Sequence, residues 1–261
     1  MTHLTTRHGR VFLTVAGPVD GLTVVLTHGL TMDHRTYASQ IEALRGTHQV
    51  IAWDLPGHGD SSPLAPEDFR FEVLTEVLLD LLDTLGIKSA VLVGQSVASL
   101  FHQYFAWHHP TRVAGLVDIG GLPLHQPMSK AMLTAVRLGV SMSALLPERA
   151  FYRWFAHARS IKDQTRADMI EGISGFGKRP VIEMTHAYFE DQTRGIPEPP
   201  ETPLLIVNGE HEMGIVRRPA IKWAVEVGAQ RVVVPDAGHI ANQDNPSGFN
   251  AVLQSFLESL H

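Results

Sequence analysis

AVLVGQSVASLFHQYFAWHH, residues 90–109, is the stretch from which the rest of the chain can be read. Its first six residues form an apolar run of the kind that is buried on both faces of a parallel sheet. Its last dozen carry a helical pattern that ends before Pro110. Between the two, at Ser96, the backbone must turn sharply from strand to helix. A serine at such a turn exposes its hydroxyl, and the helix N-terminus favours negative charge that develops beside it. The usual signature is G-x-S-x-G. Here Gly94 lies two residues before the serine and Ala98 two residues after it. Both are small, as the crowding of the turn requires. A small-x-Ser-x-small string is nevertheless common, and by itself it also fits a plain turn or N-cap serine.

Similar short runs, rich in Val, Ile and Leu, recur at 23–28, 49–54, 115–120, 203–209 and 231–236. An earlier pair, at about 3–7 and 10–16, surrounds His8-Gly9 and reads as a hairpin. Helical patterns lie between the runs. Leu74, Val77, Leu78, Leu81, Leu82 and Leu85 follow helical spacing up to Gly86. The last helix is expected to open at Asn245 and Pro246. Strand alternating with helix predicts an α/β fold with a mostly parallel, doubly wound sheet of about eight strands. Residues 122–200 break this rhythm, with helical signals and no comparable strand. The reading is therefore a core of 1–121 and 201–261 with a helical cap inserted over 122–200.

Composition narrows the function. The chain has 261 residues, is 18% charged and carries a net charge of -6 without a basic run, which argues against nucleic acid and anionic membrane surfaces as partners. It has no cysteine, so disulfides, thiolate metal sites and a cysteine nucleophile are excluded. The polar N-terminus and the lack of a long apolar run point to a cytoplasmic protein. The sequence leaves the oligomeric state open.

In a parallel sheet, ligands bind where the loops leave the carboxyl ends of the strands. His239 lies just past the last apolar run, in a position to act as a base for Ser96. Asp244, five residues on, reads as a helix-dipole residue. Glu210 and Glu212 follow the penultimate run, and either could orient the histidine. A tetrahedral intermediate also needs two backbone N–H donors. Val97 and Leu30, the latter after His28-Gly29, are the candidates.

Taken together, LTHGLTMDHRTY (26–37), AWDLPGHGDSS (52–62), VLVGQSVAS (91–99), GEHE (209–212) and PDAGHIANQDNP (235–246) resemble the α/β-hydrolase superfamily, in its capped serine esterase and lactonase form. The resemblance covers nearly the whole length and is weakest in the cap. It implies that the acid is Glu212, three residues after Gly209, where the family commonly has aspartate. Asp118 is a third candidate, since some relatives take their acid from that side of the sheet. The resemblance makes Asp54, His58 and Asp60 a structural turn, and it places Thr31 and His34 at the mouth of the site. It implies chemistry without cofactor or metal.

The expected reaction is hydrolysis of a neutral, largely apolar ester or lactone by Ser96, His239 and Glu212. Alternatives on the same fold are carbon–carbon bond hydrolysis, cofactor-free haloperoxidation, or a non-catalytic ligand receptor. Within the cap, Met128, Met132, Val136 and Val140 recur every four residues, with Met142, Phe151, Trp154, Phe155 and Phe176 nearby. Met132, Val136, Trp154 and Phe155, with Thr31, are the expected substrate contacts. Lys130 and Arg137 fall off the stripe and are expected to face water. No arginine is evident in the strand-end loops near Ser96, which is why a neutral substrate is expected.

Overall fold

The structure is a computed structural model that describes residues 1–260. Eight strands form one sheet: β1 (Thr2–Thr6), β2 (Gly9–Ala16), β3 (Thr23–Thr27), β4 (Gln49–Trp53), β5 (Ala90–Gln95), β6 (Val113–Ile119), β7 (Leu204–Gly209) and β8 (Gln230–Val234). Their spatial order is β1-β2-β4-β3-β5-β6-β7-β8. The β1–β2 hairpin and the β2–β4 pair are antiparallel, and every pair from β4 to β8 is parallel.

Each apolar run supplies two faces. In β5, Val91 and Val93 pack with Val24, Leu26, Leu44 and Phe249 on one side of the sheet. Ala90 and Leu92 pack with Leu74, Leu78, Phe101 and Phe105 on the other. Every residue of β3, β4 and β5 is buried, so these strands lack the in–out alternation of a half-exposed sheet. The first side is covered by α1 (Ala38–Leu44) and α10 (Pro246–Glu258), the second by α2 (Phe71–Thr84) and α3 (Val97–His108). Asn245 caps α10 by accepting from Gly248 N at 3.0 Å. Helix α8 (Gly214–Val227) has no counterpart in the sequence reading, because Pro219 inside it interrupts the pattern. It buries Trp223 and Ala220 against Ile206.

Strand order reverses between β3 and β5: from β3 the chain moves outward to β4, then returns to β5 on the other side of β3. The loops that leave β3 and β5 therefore diverge and open a crevice at the sheet edge. Ser96 follows β5 and Leu30 follows β3, so both flank that crevice. Between β6 and β7 lie four helices: α4 (Lys130–Ser143), α5 (Glu148–His157), α6 (Asp163–Phe176) and α7 (Lys178–Arg194). Among the described residues, no helix is long and apolar enough to cross a membrane.

Candidate active site

Ser96 has φ 57° and ψ -113°, a conformation that L-residues other than glycine rarely hold. It is held there from both ends. Its N–H donates to Ile119 O at 2.8 Å, and Ser99 Oγ donates to its carbonyl at 2.6 Å. A Cβ on Gly94 would lie 2.7 Å from the backbone of Ala98 and Ser99 and from the His102 ring. Glycine is therefore obligatory at 94. Ala98 is fully buried on the other flank, and its methyl group is accommodated there.

The loop after β8 carries His239, which is 4% exposed. Its Nδ1 lies 2.9 Å from Glu212 Oε1, so that this ring nitrogen is the donor and Nε2 is left for the opposite side. Glu212 also accepts from Met213 N at 2.9 Å. Burial pushes the Glu212 carboxyl up, but the charge and hydrogen bond of His239 and the Met213 amide outweigh it, and the net shift is downward. The other acids are engaged elsewhere. Glu210 accepts from Asp236 N at 2.9 Å. Asp118 accepts from Gly121 N at 2.8 Å and Gln103 Nε2 at 3.0 Å, and burial raises its carboxyl to about 7. Gly120, with φ 63°, passes so close that a Cβ there would lie 2.7 Å from His239 Nδ1.

Asp244 does more than face a helix dipole. It is the last residue of α9 (Ala241–Asp244), and its carboxylate accepts from Gly238 N at 2.8 Å, Ser160 Oγ at 2.5 Å and Ile161 N at 3.2 Å. It thereby ties the His239 loop to the loop after α5. His239 N completes this tie by donating to Arg159 O at 2.7 Å.

Ser96 and His239 share the wall of a cavity of about 190 Å³ with Leu100, Leu122, Val136, Val140 and Arg159. A small adjoining recess of about 20 Å³ is lined by Leu30, Val97 and Phe155 as well as Ser96 and His239. The Leu30 amide has no backbone acceptor among the described residues. Val97, first in α3, has no acceptor four residues back inside its helix. Gly29 makes the β3 loop possible, since a Cβ there would meet Gln95 Oε1 at 1.8 Å.

The expected substrate contacts divide. Val136 and Phe155 reach the cavities with Ser96, and Met128 and Val140 join Val136. Met132 is 46% exposed and Trp154 45% exposed, and neither lines these cavities. Met128 precedes α4 and comes to the cavity from the loop before the helix; within α4 each four-residue step turns about 40°, which carries Met132 about 80° away from Val140. Thr31, with φ 69°, is buried and lines a separate cleft with Met32, Arg35 and Glu171. Its carbonyl sits where a Cβ on Gly172 of α6 would fall, so this strained residue is where the helical insertion docks. His34 does not reach the site, because its N–H and Nδ1 both bind Asp54 Oδ1, at 2.7 and 2.8 Å. Asp54 also accepts from Asp60 N at 2.9 Å, which makes it the organiser of the DLPGHGDS turn. Arg137 is half-buried, not solvated. Tyr188, Thr185 and Arg159 line both cavities and were not legible as site residues. The only local signal for Arg159 is its position four residues after Phe155, where a helix brings a cation onto an aromatic ring.

Three comparisons agree with this architecture. The sequence profile of the alpha/beta hydrolase fold family matches residues 23–140. A 2-succinyl-6-hydroxy-2,4-cyclohexadiene-1-carboxylate synthase of Enterobacter sp. is 28% identical over 244 residues, 90% of this chain and 91% of the other. A 3-oxoadipate enol-lactonase of Acinetobacter baylyi is 22% identical over 98% of this chain and 97% of its own. Among solved structures, an enol-lactonase from Burkholderia xenovorans LB400 superposes with a TM-score of 0.83 and 22% identity, covering 98% of this chain and all of the other. With its mixed eight-stranded sheet, a serine held in a left-handed turn after β5 and a histidine after β8, the chain has the α/β-hydrolase fold and is a hydrolase.

Proposed function

We propose that the protein hydrolyses a small ester or lactone through a Ser96–His239–Glu212 relay and an acyl-enzyme. The observation that carries this reading is the 2.9 Å contact between the buried Glu212 and His239, on the wall of the cavity that Ser96 also lines. Glu212, held ionised, fixes the ring with its proton on Nδ1 and stabilises the imidazolium that forms. Nε2 accepts the Ser96 proton as Oγ attacks the carbonyl carbon. The oxyanion is met by the Leu30 and Val97 amides, which flank the recess beside Ser96. The imidazolium then protonates the departing alkoxide. A water, deprotonated by Nε2, attacks the acyl carbon and releases the acid. Among the described residues, Ser96 Oγ has no hydrogen bond to His239. Such bonds are often long without substrate and shorten in the complex.

The same cavity supports the cap reading of the insertion, since Val136 and Val140 of α4 and Tyr188 of α7 line it together with Ser96. A cavity of about 190 Å³ suits a small substrate, and its aliphatic lining suits an apolar acyl group. The test is turnover of a series of p-nitrophenyl esters together with fluorophosphonate labelling. Wild type is expected to be labelled at Ser96, and Ser96→Ala to lose on the order of 10³-fold or more in kcat while staying folded. Ester hydrolysis by Ser96→Ala at a comparable rate would discard the mechanism.

A further inference from the structure

Arg159 stands just past the C-terminal end of α5 and lines both cavities that Ser96 and His239 line. Its guanidinium carbon lies 3.4 Å over the centroid of the Phe155 ring, and Nη1 donates to Phe155 O at 3.1 Å. Those contacts fix its direction but leave its charge unmatched. Among the described residues no carboxylate forms an ion pair with it. Besides the Tyr188 phenol, Glu212 is the one carboxylate that acts on it through space, and Glu212 is committed to His239 and the Met213 amide. Arg70 shows the contrast: it too is largely covered, and it is matched by Asp191 at 2.8 Å. Burial lowers Arg159 to about 10, so it stays a cation at neutral pH. Arg159 is half-buried, and a guanidinium partly withdrawn from water without a counter-ion carries a cost that an anion arriving with the substrate removes. Tyr188 lines the same two cavities, and burial raises its phenol, so it remains an O–H donor beside the cation.

We infer that Arg159, with Tyr188 beside it, is a carboxylate-binding subsite, and that the substrate is an ester or lactone whose apolar body carries one carboxylate remote from the scissile bond. This rests on the hydrolase reading above and replaces the neutral substrate expected from the strand-end loops. Those loops hold no arginine near Ser96; the helical insertion supplies one. A planar fork on a fixed aromatic ring suits a carboxylate bound through two hydrogen bonds.

The experiment compares p-nitrophenyl hydrogen succinate with p-nitrophenyl pentanoate, which has a similar length and no charge. Wild type is expected to favour the half-ester in kcat/KM. In Arg159→Met the half-ester-to-neutral ratio is expected to fall about 10- to 100-fold, as for loss of a hydrogen bond to a charged group, and mostly through KM. Arg159→Lys should retain part of the ratio, because it keeps the charge and loses the fork. The main chain of Arg159, which holds His239 N, is the same in all variants. A wild-type preference for the pentanoate would overturn the inference. So would an equal fall for both substrates, which would make Arg159 an aid to the oxyanion or to folding. Titration of Ser96→Ala with monomethyl and dimethyl glutarate separates this inference from the one beneath it. Tighter, Arg159-dependent binding of the monomethyl ester without any wild-type turnover would keep the subsite and sink the hydrolytic relay. Ser96-dependent turnover with no preference for the half-ester would do the reverse.

Discussion

The strand-end loops and the helical insertion meet across one cavity, and they are built on different terms. In the loops the backbone has almost no freedom. Gly29, Gly94, Gly120 and Gly121 each sit where a Cβ would strike a neighbour at 2.7 Å or less. Ser96 and Glu212 are set by that frame just after the buried strands β5 and β7, and His239 sits in the loop after the partly exposed edge strand β8. The insertion is looser. On α4, Met132, Leu138 and Met142 are exposed, and Ser143 is its only buried residue. A Cβ on Gly139 or Gly175 would meet nothing within 4 Å. On the proposed mechanism, chemistry falls to the tightly packed loops, and substrate choice falls to helices whose outer faces are exposed.

The comparison breaks most easily at the acid. Glu212→Gln keeps the shape of the side chain and removes the charge that, on the proposed mechanism, steadies the imidazolium. It is expected to lower kcat by roughly 10²- to 10⁴-fold, whereas Glu210→Gln, whose carboxylate holds only Asp236 N, should stay within a few-fold. Near-normal rates for Glu212→Gln would move the assignment of the acid to another residue. Steady-state kinetics of both variants decides it.

Gly120→Ala tests the rigidity of the frame itself. The added methyl group falls on the His239 ring and requires φ 63° of a non-glycine residue. A displaced base is expected to cost about 10- to 100-fold in kcat/KM, with a smaller change in KM. The equivalent change in the insertion, Gly139→Ala, meets open space on a helix and should leave kinetics unchanged and raise stability by up to about 1 kcal/mol. Equal effects from the two substitutions would erase the distinction drawn above.

Asp118 sharpens it through pH. Burial lifts its carboxyl from 3.8 to about 7, against the pull of the Gly121 amide, the Ser99 hydroxyl and the Gln103 amide. Between those pH values the folded protein holds a proton that the unfolded chain has released. Unfolding therefore releases a proton there, and stability falls as pH rises through the window. Asp118→Asn cannot titrate, and its amide sets a donor against Gln103 Nε2. It is expected to cost about 1–3 kcal/mol near pH 4, with the gap to wild type closing and then changing sign toward pH 7, where wild type has lost the protonated carboxyl's advantage. Denaturant midpoints at the two pH values measure this, and a gap that widened would reverse the assignment of the shift.

The smallest effect belongs to the outer face of the insertion. Trp154→Ala removes a large side chain that is 45% exposed and does not line the cavity. Thermal unfolding and ester turnover are expected to change little, by about 0.5 kcal/mol or less in stability.

What the sequence determined by itself is what depends on neighbours along the chain. Eight strands could be read because burial on both faces demands runs of Val, Ile and Leu in the central strands and the turn at His8-Gly9 marks the hairpin, and the observed boundaries differ from that reading by at most two residues. Ser96, His239, Leu30 and Val97 could be named because each follows a strand, and the ends of parallel strands gather at one edge. Tertiary structure decided the rest, because the remaining choices are distances between residues far apart in sequence. Glu210, Glu212 and Asp118 are alike as acids in sensible places; only the packing of β7 against β6 and the close pass of Gly120 leave Glu212 against the ring. Val136 and Met132 share one stripe, and only the docking of α4 turns the first inward and leaves the second in water. Arg159 lies 63 residues from the nucleophile in a segment with no motif. Its place on the cavity wall comes from the tie between its loop and that of His239, which local propensity does not encode.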